Sequence, residues 1–147
     1  MKSLLSLILA SLIMSSCSPV AQKDLNELSD GDFVRVSDRS FQVEAARTEA
    51  EHVQGLSGHP PLKDDEGMLF IFDDAQVRHF WMKDMLFPLD IVFIGEDGRI
   101  VDIKRDFQPC VPISCPSYSS AAPARYVLEV YSGRMDRIFP GQRVIPG

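Results

Sequence analysis

Most of what would declare a chemistry is missing from this 147-residue chain. It has three histidines, and His52, His59 and His79 are scattered, with no pair at a ligand spacing such as H-x3-H. Its three cysteines are Cys17, Cys110 and Cys115, and no two stand as C-x-x-C. Neither a zinc set nor a thioredoxin-like redox motif is expected, and no cofactor is implied. Serines are frequent, but none sits in G-x-S-x-G, the strained turn that presents a nucleophile. No glycine-rich loop is present to cradle a phosphate. Basic runs are absent and the net charge is −6, so binding to phosphate backbones, and with it nucleic acid as a partner, is not expected. No apolar run reaches the roughly 20 residues that span a bilayer as a helix. Internal repeats and low-complexity tracts are lacking too. What remains is ordinary globular material, 45% hydrophobic and 24% charged, in a length suited to one domain.

The N-terminus stands apart. Lys2 precedes the apolar stretch Leu4–Met14, and Ser15, Ser16 and Cys17 follow. A charged start and a short apolar run fit a signal peptide over residues 1–16. The run of small residues before Cys17 resembles a bacterial lipobox. That resemblance implies cleavage before Cys17 and lipid on its thiol and its new amino group. The alternative is an ordinary signal peptide cut near Ala21. Several acyl chains on one cysteine anchor stably, so the membrane is an expected partner. Ser18, where inner-membrane sorting would want Asp, favours the outer membrane, facing the periplasm. Residues 17–30 are polar and read as a lipid-anchored tether, and residues 31–147 as a single β domain. In an exported protein Cys110 and Cys115 are expected to pair as a disulfide closing a small proline-rich loop, worth about 2 kcal/mol in the chain-entropy model.

Within the domain, strands dominate. Phe33–Val36 is a short candidate, and Ser40–Ala46 alternates Phe41, Val43 and Ala45 against polar neighbours. Thr48 and Glu51 form a capping box for a short helix that stops at Gly55. Met68–Phe72 is apolar at every position and predicts a strand covered on both faces, as does Asp90–Ile94. Gln76–Trp81 alternates, with Val77, His79 and Trp81 on one side. Gly95–Gly98 is a hairpin turn signal, followed by an alternating strand to Phe107. Arg125–Tyr131 is another strand, and Gln142–Ile145 a last one at an edge. Strands do not alternate with long helices, which disfavours a parallel βαβ sheet. The expected class is mainly β: a small antiparallel β-sandwich or a partly closed barrel, with one short helix.

The segments GMLFIF (Gly67–Phe72), FWMKDM (Phe80–Met85), PLDIVFI (Pro88–Ile94), DGRI (Asp97–Ile100) and RYVLEVYSG (Arg125–Gly133) occur in order. Together they resemble the "domain of unknown function" family numbered 192, over about Val43 to Val144. Pro109–Tyr118 resembles a version common in its exported members. The resemblance implies a jelly-roll-like β-sandwich and no activity. The family usually reads FWMKNT, where Asp84 and Met85 stand here. It usually carries a GLM-aromatic-Arg segment where this chain has Gly55–His59.

Function is sought in Phe80–Asp90. Trp81 is either a ring closing one end of the core or a stacking platform for a sugar or other flat ligand. Lys83 and Asp84 are either a solvated loop pair or binding residues. Asp90 sits before a buried strand and needs partners. These are either N–H groups of the Met82–Phe87 loop, Lys83 or an arginine, or Asp90 is an acid or base beside Lys83 and Asp84. His79 reads as a core histidine. Tyr118 and Arg125 flank the loop between them and are placed at the same end. The leading expectation is a non-catalytic envelope domain that binds a small molecule, glycan or protein partner at the Trp81–Asp90 corner. The alternatives are a hydrolase of envelope polysaccharide using Asp84 and Asp90 as paired carboxylates, and a motif that serves only folding.

Overall fold

The computed structural model describes residues 23–111 and 113–147. Leader residues 1–16 and Cys17 lie outside the described residues. The chain is mainly β, a seven-stranded sheet curled into a half-barrel beside a two-stranded sheet. The strands are β1 (Phe33–Val36), β2 (Arg39–Ala46), β3 (Glu66–Gln76), β4 (His79–Phe80), β5 (Leu89–Ile94), β6 (Ile100–Phe107), β7 (Tyr118–Ser119), β8 (Ala124–Tyr131) and β9 (Val144–Pro146). The large sheet runs β6-β5-β8-β3-β2-β1-β9, and β4 pairs with β7.

The all-apolar runs arise because the sheet is covered on both faces. Alternation along β3, β5 and β8 sends Leu69, Ile71, Val92, Ile94, Leu128 and Val130 to one core cluster. It sends Met68, Phe70, Leu89, Ile91, Phe93 and Val127 to the other. Leu25, Leu28, Met135 and Ile138 help cover the first. Leu56, Met82, Met85 and Phe87 help cover the second. The disulfide between Cys110 and Cys115 is formed, and the Cys110 N–H donates to the Met82 carbonyl at 3.2 Å.

Three expectations are corrected here. The sheet is not wholly antiparallel: β2 and β3 pair in parallel, Val43 beside Gly67. A parallel neighbour needs a crossover, and helix α1 (Glu49–Gln54) with the loop after it supplies one. Strand β3 also runs on through a register shift to Gln76, leaving β4 only His79 and Phe80. Finally, the expected tether does not reach Asp30. Leu25 and Leu28 are 4% and 1% exposed, in and beside a turn of 3₁₀ helix whose start is closed by an Asp24–Glu27 capping box. From Lys23 onward the chain belongs to the fold.

Candidate functional site

Phe80–Phe87 answers the either-or posed by its sequence by dividing its side chains. Met82, Met85 and Phe87 are buried in the second cluster, with Phe80 packed against it. The Phe80 ring meets Phe70 edge-on at 5.0 Å and Phe93 at 5.8 Å. The intervening Trp81, Lys83, Asp84 and Leu86 point outward. Trp81 is 51% exposed, so the core corner is closed by its neighbours and not by the indole. Lys83 Nζ stands 6.0 Å from the Trp81 ring centre.

The loop is held by its backbone. Ser57 Oγ donates to the Lys83 carbonyl at 3.0 Å, and the Gly58 N–H donates to the Asp84 carbonyl at 2.9 Å. Asp84 has φ 58°, a left-handed conformation that Asn and Asp adopt more readily than other side chains. The Asp here in place of the family's usual Asn therefore keeps the turn.

Helix α1 faces this loop. Thr48 and Glu51 form the expected capping box, and Gly55 ends the helix with φ 45°. Its His52 ring lies 4.3 Å from Phe72. Nε2 of His52 is 3.1 Å from the Ala46 carbonyl, an acceptor only, so that nitrogen carries the proton. Between α1, the end of β3 and β4 lies a cleft of about 450 Å³, lined by Val53, Phe72, Val77, Arg78, His79 and Trp81 among others. Arg78 lies over the Phe72 ring at 3.9 Å, and its guanidinium donates to the Ala124 carbonyl and to Asp74. His79, expected in the core, is exposed; its Nδ1 is 2.9 Å from Ser119 Oγ. On β4 it is Phe80 that faces the core, so the alternation of the strand turns His79 outward.

A narrow recess of about 30 Å³ is lined by His52, Phe70, Phe80, Trp81, Met85 and Glu129 among others. His52, Val53, Phe80 and Trp81 line both this recess and the larger cleft. Glu129, on β8, is 4% exposed. Among the described residues its carboxyl has no hydrogen bond or ion pair, and burial alone pushes its pKa up to about 8. At neutral pH it is a neutral acid. Sequence reasoning missed it for a physical reason. In RYVLEVY, Glu129 alternates in phase with Arg125, which reads as the solvent face. The useful signal was a charge between Leu128 and Val130, the same signal that singled out Asp90.

The other expected site residues scatter. Asp90 has 0% exposure and lies on the opposite side of the sheet. It does accept backbone N–H bonds as expected, but from Asp106 at 3.0 Å and Met135 at 2.9 Å, not from the Met82–Phe87 loop or Lys83. Both its oxygens are engaged and Asp84 is outside, so the two carboxylates share no space in which paired acid-base chemistry could occur. Tyr118 pairs with Phe80 across β4–β7 and meets Phe107 edge-on at 4.0 Å, supporting the Trp81 corner from behind. Arg125 turns to Glu96 at 2.9 Å and lines neither the cleft nor the recess.

A mainly β half-barrel with a cleft at one corner is the class that fold and site define. A family model for uncharacterised proteins, DUF192 (Uncharacterized ACR), matches residues 33–145, and the chain belongs to that family. Among solved structures it is similar to a protein of unknown function from Novosphingobium aromaticivorans DSM 12444. Identity is 35% and the TM-score 0.70, over 76% of this chain and 82% of that one. It is also similar to a candidate transcription regulator from Sinorhizobium meliloti 1021, at 31% identity and TM-score 0.73, over 82% of this chain and 97% of that one. No curated protein matches it.

Proposed function

We propose that this is a non-catalytic binding domain of the bacterial envelope that takes a small molecule in the cleft between α1 and Trp81. The observation that carries the reading is the half-exposed indole beside an apolar cleft of about 450 Å³. That size falls within the range of small-molecule sites. A large aromatic ring left in water beside such a cleft supplies a stacking face, while Arg78 and His79 supply polar contacts. A glycan or a partner's side chain could use the same face.

The envelope placement rests on the lipobox-like Cys17 and on the Cys110–Cys115 disulfide, a bond that persists in oxidising compartments. Lipid on Cys17 would hold the domain at the membrane, outer by the Ser18 criterion. The net charge of −6 weighs against binding to a nucleic-acid backbone, and the name carried by the S. meliloti structure is not extended to this chain.

Trp81 is the only tryptophan, so its emission reports on the cleft directly. A fragment panel of aromatic and sugar compounds is expected to yield ligands that shift this emission, with binding by calorimetry lost in Trp81→Ala. Failure of every fragment to bind at millimolar concentration, or equal binding by Trp81→Ala, would overturn the proposal.

A further inference from the structure

We infer that the recess beneath Trp81 receives a primary ammonium group, with Glu129 as its counter-ion, so that the ligand of the cleft is an amine with an apolar or aromatic body. This rests on the binding proposed for the cleft and specifies its chemistry.

Glu129 is a carboxyl built into a sheet face that otherwise carries Met68, Phe70, Ile91 and Val127. It is more than nine-tenths buried, has no donor from the described residues, and lines the recess that opens beside Trp81. Its oxygens are not sealed, the one fully buried side-chain polar atom without a partner among the described residues being Arg134 Nε, so a donor group entering the recess can reach them and offset the cost of burying the carboxyl. Three features select a cation. The recess is lined by Phe70, Phe80 and Trp81, the ring types to which cations are attracted. Its volume of about 30 Å³, against about 450 Å³ for the outer cleft, makes it a small end pocket suited to a compact head group such as an ammonium. The domain's charge is negative, and of the two charged side chains at the wall of the outer cleft, Glu49 and Arg78, the arginine is already paired with Asp74.

Proton balance gives a signature. The free acid of Glu129 and an ammonium combine as a carboxylate–ammonium pair, and one proton passes to solvent. His52 on α1 is the one other titratable group that lines the recess; β3 presents Met68 and Phe70, β5 presents Ile91, and the Trp81 loop presents Met85. Lys83 is on the outer side of that loop. Below the Glu129 pKa of about 8, affinity for an amine should therefore rise by about tenfold per pH unit, as one-proton linkage requires.

The test is titration of Trp81 emission with benzylamine, phenethylamine and 4-phenylbutylamine against the matching alcohols and carboxylates, from pH 6 to pH 9. At least one amine is expected to bind about tenfold or more tighter than its alcohol at pH 8, and Glu129→Gln, which keeps the shape, to abolish that preference. Thermal melts of Glu129→Gln confirm that it is folded. Alcohols binding as tightly as amines, or amine affinity flat between pH 6 and pH 8, would overturn the ammonium while leaving the cleft as a ligand site. If no compound of any class perturbs Trp81, both the inference and the binding function beneath it fall.

Discussion

Asp90 and Glu129 are buried carboxyls on neighbouring strands that point to opposite faces of the same sheet: Asp90 is in register with Val130, and Glu129 with Ile91. Asp90 receives two backbone N–H bonds and so fastens the Met135 segment and the end of β6 onto the first core cluster. Glu129 receives none from the described residues and meets the recess under Trp81. The same functional group, at similar burial, serves architecture on one face and is left without a protein partner among the described residues on the other.

Replacement of Asp90 should therefore be a pure stability event. Asp90→Asn keeps one acceptor oxygen and turns an NH₂ toward a donor N–H, at a cost of about 1–3 kcal/mol. Asp90→Ala leaves both N–H groups without partners and costs more. Urea unfolding measures the loss, and the Trp81 emission maximum and ligand titrations of the folded fraction should match wild type. Altered binding by Asp90→Asn would place Asp90 at the site after all.

Glu129 should make stability fall as pH rises. Its folded pKa is raised by burial to about 8 from the ordinary 4.5 of a glutamate, so between those values the folded state holds a proton that the unfolded state has lost. The unfolded state binds fewer protons there, and the slope of stability against pH is negative across that window. The size is of the order of a few kcal/mol, from about 1.4 kcal/mol per pKa unit. Glu129→Gln removes this slope. It should equal wild type near pH 4 and exceed it at pH 8 and above. Comparing the two proteins by urea unfolding at each pH cancels the contributions of exposed carboxylates such as Asp32 and Glu51.

The strands were legible because burial on both faces leaves a plain mark: GMLFIF and DIVFI have almost no polar residue to mislead. The α1 boundaries were legible because Thr48, Glu51 and Gly55 each act within one turn. Strand partners are set by distant residues, and so the parallel β2–β3 contact was not visible in either strand alone. The site was half legible for the same reason. Trp81 and Lys83 are neighbours in sequence and in space, whereas Glu129 and His52 reach the recess only once β8 and α1 have packed.

Gly67 should resist any side chain. A Cβ there would lie 2.9 Å from the Glu129 carbonyl oxygen and 3.2 Å from side-chain atoms of both Leu128 and Val130. The obstacle includes backbone of the adjoining strand, which can yield only by shifting β8. Gly67→Ala is expected to cost about 1–3 kcal/mol, as overpacking does, and to displace Glu129 in the recess. Thermal unfolding checks the first effect. The second appears as loss of the negative pH slope of stability that Glu129 confers.

The two roles within Phe80–Phe87 should separate by mutation. Trp81→Ala removes a half-exposed ring and is expected to change stability by no more than about 0.5 kcal/mol. Met82→Ala empties a buried position in the second cluster and should cost about 2–5 kcal/mol. Wild-type emission should be red-shifted and quenched by acrylamide, as expected of an indole in contact with water. A blue-shifted, protected spectrum would show that ring to be packed.

The segment before β1 offers the last check, on where the domain begins. Leu28 is 1% exposed and Leu25 4%, both in the first core cluster with Val34, Phe41 and Val144. Asp24 and Glu27 cap the turn between them, and the Arg47 guanidinium donates to the Leu28 carbonyl. A solvated tether would make none of these contacts. Leu28→Ala should cost about 2–5 kcal/mol in urea unfolding, the range for a buried leucine, and Leu25→Ala should fall in the same range. Changes at Asn26 and Ser29, both exposed, should fall within about 0.5 kcal/mol. If both leucines proved as tolerant as their exposed neighbours, the folded domain would begin at β1 and the expected tether to Asp30 would stand.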